Sequence, residues 1–192
     1  MNDFINGLFD LSSQNALITG ATGAFGGAAA KALSAAGAHV TIVGRNADGL
    51  ASLEEQLTAG GGSVTKVIAR PASEADCEQI VEAATADGRS VDILIAASGT
   101  ARVKPALDMQ PDEWDMVMEA NVRQSWLIAR AAGKAMIEGG RGGKILFVSS
   151  VRGRFATRAG TTAYAPSKSA IDMLTKSFAT EWGQFGINVN AI

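Results

Sequence analysis

The chain has 192 residues, 47% of them hydrophobic and 19% charged, with 17 basic and 19 acidic side chains and a formal charge of −2. That length supports one well-packed core and is short for two ordinary domains, and the absence of long blocks of one charge argues against a nucleic-acid or membrane surface. One cysteine, Cys77, and one histidine, His39, exclude an internal disulfide and a multi-cysteine metal site, so no metal is expected.

The opening stretch MNDFINGLFDLSSQ has no basic segment followed by an apolar run, and no later stretch of about 18 apolar residues occurs, which predicts a cytoplasmic protein. The first apolar run, NALIT (15–19), is short enough for a buried strand and leads through a glycine-rich turn into an alanine-rich helix at about 24–36. The alternation then repeats: strand 38–44, helix 47–59, strand 63–69, helix 74–87, strand 91–97, a long helix 111–138, strand 143–150, a second long helix 161–185 and strand 187–192. Six apolar strands separated by amphipathic helices predict a doubly wound parallel α/β sheet of Rossmann type, one domain over residues 1–192, with its ligand crevice at the strands' C-terminal ends. The chain stops on an apolar strand, an edge that proteins normally pair or cover, which predicts that these residues are the N-terminal portion of a longer protein.

Three local patterns carry chemistry. The turn Thr19-Gly20-Ala21-Thr22-Gly23-Ala24-Phe25-Gly26-Gly27 lies between a strand and a helix. Glycines there let backbone approach a pyrophosphate, and the helix N-terminus offers free N–H groups; the alternative is a plain tight turn. The second strand ends in Val43-Gly44-Arg45-Asn46. An acid at this place accepts from the ribose hydroxyl of NAD, whereas Arg45 suits the 2′-phosphate of NADP, so NADP(H) is favoured with NAD(H) still possible; the alternative is a solvated turn arginine. Tyr164 and Lys168, four apart at the start of a helix, share one face, so the ammonium can favour the ionised phenol needed for acid–base work; Ser149 and Ser150 precede them at the end of strand five. A half-buried helix tyrosine beside a solvated lysine is the alternative for the pair alone.

In this order the patterns resemble the short-chain dehydrogenase/reductase family, over essentially the whole chain. The family's Thr-Gly-x-x-x-Gly-x-Gly turn falls on residues 19–26, its catalytic asparagine on Asn121, its serine on Ser150 and its Tyr-x-x-x-Lys on Tyr164 and Lys168. Three places depart from the pattern: Ala24 replaces the middle glycine, AASG (96–99) replaces the usual Asn-Asn-Ala-Gly, and Arg70-Pro71 stands where an aspartate commonly contacts adenine. The separation of 14 between Ser150 and Tyr164 is about one residue longer than the family's, which keeps Ser149 as a second choice. The resemblance implies hydride transfer between NAD(P)(H) and a carbonyl or secondary alcohol substrate, with Tyr164 passing the proton, Lys168 tuning it and holding the ribose, Ser150 bonding the substrate oxygen and Asn121 supporting a proton relay. It places the cofactor on Thr19, Gly20, Phe25, Gly26, Arg45, Gly99, Tyr164 and Lys168, and implies a homodimer or homotetramer through the two long helices, which carry Trp114, Trp126 and Trp182. The rival reading is a nucleotide-binding regulatory or structural protein of the same fold without catalysis. His39 is expected in a turn or on the surface, Cys77 in packing, and Arg152, Arg154 and Arg158 in a solvated loop.

Overall fold

The computed structural model describes residues 7–158 and 160–192; residues 1–6, part of the stretch in which no targeting signal is expected, lie outside them. The six strands form where the apolar runs predict: β1 Asn15–Thr19, β2 His39–Gly44, β3 Val64–Ile68, β4 Ile93–Ala96, β5 Gly143–Phe147 and β6 Ile187–Ala191. They make one parallel sheet in the order β3-β2-β1-β4-β5-β6. The chain therefore winds outward on one side of β1, returns, and winds outward on the other side. The crevice between the ends of β1 and β4 is the switch point where such folds bind ligands.

Alternation along β1 shows how the sheet is covered. Leu17 joins a core with Cys77, Ile80, Leu127, Ile128, Phe147, Ile171 and Phe178, whereas Ala16 and Ile18 join a second core with Ala30, Leu50 and Leu53 on the opposite face. The second core is roofed by α1 (Ala24–Ala35) and α2 (Ala47–Ala59), the first by α3 (Glu74–Thr85), α5 (Gln124–Gly139) and α6 (Tyr164–Trp182). Asn46 caps α2 by accepting from the Gly49 amide at 2.9 Å, and Ser73 caps α3 by accepting from that of Asp76 at 3.1 Å. Each satisfies a donor that a helix start leaves without an intrahelical partner. Trp182 stacks on Phe178 with ring centroids 4.2 Å apart, a contact within the core.

The long helix expected over 111–138 is not continuous. It runs as α4 (Pro111–Met118), a π-helical turn at Glu119–Arg123, then α5. The wide turn contains Asn121, and local widening of this kind re-aims side chains, most often at functional sites. No helix of the described residues is long and apolar enough to cross a membrane.

His39 corrects an expectation. It opens β2, is only 9% exposed, and its Nδ1 and Nε2 lie 2.7 Å from Ser63 Oγ and 3.0 Å from Thr65 Oγ1. The neutral ring bridges β2 to β3, so the polar hydroxyls, rather than solvent, satisfy it. Burial, then the charge of Arg89, holds its pKa below the ordinary 6.5, against a smaller opposing effect of Asp87. The unfolded chain binds this proton more readily than the folded one, so stability falls as pH drops below about 6.5 towards the lowered folded value. Urea midpoints at pH 7.5 and 5.5 should differ more for the native chain than for His39→Gln; equal decrements would remove His39 from the pH dependence.

Candidate active site

The C-terminal ends of β1 and β4 are level, Thr19 pairing with Ala96, and the two turns that leave them are in contact. Gly20 makes this possible. Its φ is +66°, and a Cβ there would lie 2.6 Å from the Ser98 amide nitrogen and 2.7 Å from the Ala97 carbonyl group. Gly26, in the first turns of α1, would press its Cβ to within 2.3 Å of the Gly20 carbonyl oxygen, so the helix can approach only without a side chain. Gly23 is the N-cap of α1 and brings the helix's positive end to the same place.

Around these glycines lies a cleft of about 530 Å³ whose lining includes Thr19, Gly20, Gly23, Arg45, Arg70 and Gly99. Of the expected cofactor positions, Thr19, Gly20, Arg45 and Gly99 line it. Gly26 sits beneath the turn, and the Phe25 side chain is 60% exposed outside the lining, leaving the backbone as that residue's route to a ligand. Two further lining residues bear on the ligand, Arg70 and Gln124. Arg70, at the end of β3, shares the rim with Arg45; both are exposed, and neither forms an ion pair among the described residues. Gln124 is 2% exposed, and its Nε2 has no hydrogen-bond partner. A buried amide without a partner costs about 1–3 kcal/mol. The free donor, the glycine cradle and the two guanidinium groups fit a phosphate-bearing nucleotide.

Gly99 joins the cleft to the second group of expected residues. A Cβ on it would lie 2.9 Å from Asn121 Oδ1 and 3.9 Å from Lys168 Nζ. Asn121 is 1% exposed and fully engaged: Oδ1 accepts from the Thr100 amide at 2.7 Å, while Nδ2 donates to the Thr100 carbonyl and to Ser167 Oγ, both at 2.9 Å. Ser167 Oγ in turn donates to the Tyr164 carbonyl at 2.7 Å. The Asn121 side chain thus ties the turn after β4 to the first turn of α6, a role that a polar residue inside a helix conceals in the sequence.

Lys168 is 6% exposed. Its Nζ donates to the Val148 carbonyl at 2.7 Å and lies 5.6 Å from the centroid of the half-buried Tyr164 ring. Burial lowers its pKa from the ordinary 10.5, and the negative charge of Asp172 opposes that shift. Of the two serines after β5, Ser149 is buried and its hydroxyl is taken, donating to Asp172 Oδ1 at 2.5 Å and approaching the Lys168 carbonyl at 3.3 Å. Ser150 is half-buried and caps the 3₁₀ turn Val151–Gly153, its Oγ accepting from the Arg152 amide at 3.1 Å. Ser150 is therefore the more available of the pair.

The profile of the short chain dehydrogenase family matches residues 14–192. The chain belongs to the short-chain dehydrogenase/reductase family. It is 46% identical over 184 residues to an uncharacterised oxidoreductase of Mycobacterium tuberculosis (strain H37Rv), spanning 96% of this chain and 67% of that relative. A crystal structure of a short-chain type dehydrogenase/reductase from Mycobacterium marinum superposes with a TM-score of 0.94 at 31% identity, covering 100% of this chain and 77% of that one. A Beutenbergia cavernae protein assigned as an NAD(P)-dependent gluconate 5-dehydrogenase, solved with NADP bound at low occupancy, superposes at 0.86 with 34% identity, covering 95% and 72%. The family consists of oxidoreductases that use NAD(P), and its fold is the one described above.

Cys77 and metals stand apart from this centre. Burial, chiefly, pushes the Cys77 thiol up to about 12, so it is inert near neutrality. Among the described residues no group of three His, Cys, Asp or Glu side chains could hold a metal ion.

Gly20→Ala tests the cradle. The substitution places a side chain against the β4 turn and strains a left-handed residue, so the melting temperature should fall, in line with the ~1–3 kcal/mol of overpacking, and nucleotide affinity should fall with it. An alanine form with native affinity by fluorescence titration would show that the cleft does not use this turn.

Proposed function

We propose that the chain is an NADP(H)-preferring carbonyl reductase or secondary-alcohol dehydrogenase in which Tyr164, Lys168, Ser150 and Asn121 form the catalytic centre. The observation that carries the reading is the buried Lys168, whose ammonium sits against the Tyr164 ring while anchored to the carbonyl that precedes Ser149 and Ser150. A lysine needed only for solubility has no reason to be desolvated there. The nucleotide, when bound, supplies the hydride donor or acceptor.

The chain's own groups supply the rest. Thr19, Gly20, the first turn of α1 and Gly99 would hold the pyrophosphate-bearing part, and Gln124 offers a free donor within the cleft. In the reduction direction Tyr164 donates its phenolic proton to the substrate oxygen, and in oxidation it takes the proton back. Lys168 stabilises the negative charge that develops on the phenol oxygen, and the low exposure strengthens that interaction. Ser150 Oγ donates to the substrate oxygen and fixes its direction. Asn121 keeps the β4 turn and α6 in register through Thr100 and Ser167.

Preference for NADP(H) rests on charge. Arg45 and Arg70 share the rim of the cleft, and no Asp or Glu is among its lining residues, so a 2′-phosphate meets cations and a ribose hydroxyl meets no carboxylate. A homodimer or homotetramer is supported by the partly exposed Trp114, Met116 and Trp126 on α4 and α5 and by Met173 on α6, large apolar side chains that pairing would cover.

Two experiments bear on this reading. Arg45→Asp should move kcat/KM from NADP(H) towards NAD(H), since it removes a phosphate partner and supplies a ribose acceptor; an unchanged ratio would mark Arg45 as a turn residue only. Tyr164→Phe should lower turnover of a ketone panel by ~10²- to 10⁴-fold with cofactor affinity nearly unchanged, whereas Lys168→Ala should weaken both. A phenylalanine form with near-native turnover would return the chain to nucleotide binding without catalysis.

A further inference from the structure

A carboxylate lies one turn past the proposed centre. Asp172 follows Lys168 by four residues on α6, and its side chain is 25% exposed. Its Oδ1 accepts the Ser149 hydroxyl at 2.5 Å. Its Oδ2 lies 4.0 Å from Arg154 Nε, and a Cβ on Gly153 would fall 2.9 Å from the same oxygen. The turn after β5 is also fastened to α6 by Lys168 Nζ to the Val148 carbonyl and by Ser169 Oγ to the Gly153 carbonyl at 2.5 Å. Asp172 is the only anionic member of this set of contacts. Residues 148 to 154 thus lie along one face of α6, and Ser150 sits between two points at which that face grips the turn.

We infer that Asp172 is a positioning residue, which registers the Ser150 turn on α6 and supplies the negative charge that balances the buried Lys168 ammonium. The role rests on the catalytic assignment proposed above and extends it to a residue that touches neither substrate nor cofactor. Among the described residues, Asp172 is the charged group that acts on the ammonium. Tyr164 comes from the same helix, the Val148 carbonyl from the end of β5, Gly99 from the β4 turn and Asn121, uncharged, from the π-helical turn. Arg154 is the remaining charge at the carboxylate, and its guanidinium competes with Lys168 for it.

Burial drives the Lys168 proton off and Asp172 opposes this, so removing the carboxylate charge moves loss of the ammonium to lower pH. Asp172→Asn keeps the shape and an oxygen for the Ser149 hydroxyl while removing the charge. In the full chain carrying lysine labelled with ¹³C at the ε-carbon, with the Lys168 signal assigned by its loss in Lys168→Arg, the NMR midpoint of Lys168 should shift downward in Asp172→Asn. The alkaline limb of kcat/KM should move the same way. Ser149→Ala, which loosens the turn and keeps the charge, should lower kcat, by up to ~100-fold for misplacement of the order of an ångström, with the Lys168 midpoint where it is in the native chain. Asp172→Ser removes the charge in a smaller volume and should repeat the downward shift, standing in where the asparagine form does not fold. A Lys168 midpoint indifferent to both charge-removing substitutions overturns the inference. Because the NMR titration needs no turnover, it separates this outcome from failure of the proposed function, which would show as a native chain inactive on every carbonyl and alcohol tested.

Discussion

A lysine ammonium held at 6% exposure is the constraint around which this end of the sheet is arranged. Removing an ion from water costs several kcal/mol even after relaxation, so the surroundings must return most of that. They do so with one carbonyl, one aromatic face and one carboxylate: Val148 at 2.7 Å, the Tyr164 ring at 5.6 Å and Asp172 one turn along. Each compensating group comes from a place that the proposed reaction needs fixed. The carbonyl belongs to the turn that carries Ser150, and the ring is the proposed proton carrier. The cost of burying Lys168 is thus offset by contacts that also assemble the site.

The opposite end of the same strands is held by a different device. Asp92, 8% exposed, accepts from the Asn15 amide at 2.8 Å and from Ser90 Oγ at 2.8 Å, and pairs with Arg141 at 2.5 Å. The start of β1 is thereby clamped to the start of β4, while Gly20 lets their ends come close enough to form the cleft. Polar clamping below and small residues above leave the crevice open at the strands' C-terminal ends, where parallel α/β sheets expose unpaired turns.

What the sequence revealed and what it hid divide along physical lines. Strand positions were legible because strands covered on both faces must be apolar along their length, and β1 coincides with NALIT residue for residue. The Tyr164 and Lys168 relationship was legible because helical spacing alone puts them on one face. The π-helical turn was not, since it depends on contacts of Asn121 with Thr100 and Ser167, 21 and 46 residues away. His39 was misplaced for a related reason: its partners, Thr65 on the neighbouring strand and Ser63 just before it, turn a polar side chain into a buried one. Gln124 reaches the cleft only through the fold, from a helix position that no local pattern marks, whereas Arg70 stands at the place where the family commonly contacts adenine.

The same division bears on the departures from the family pattern. Ala24 replaces a glycine in the turn, yet the tight approaches fall on Gly20 and Gly26, where a Cβ would meet backbone at 2.6 and 2.3 Å, and both are glycine here. Position 24 begins α1 instead, where alanine is the better helix former. Arg70 replaces an acid at the far rim, which changes the charge of the cleft and leaves its shape to the backbone. Of these two, Ala24 begins a helix and Arg70 faces solvent, while Gly20 and Gly26, at which backbone touches backbone, are kept. A fold that binds a nucleotide through main-chain approach can vary its rim charge in this way, and with it the choice between two cofactors, without rebuilding the cradle.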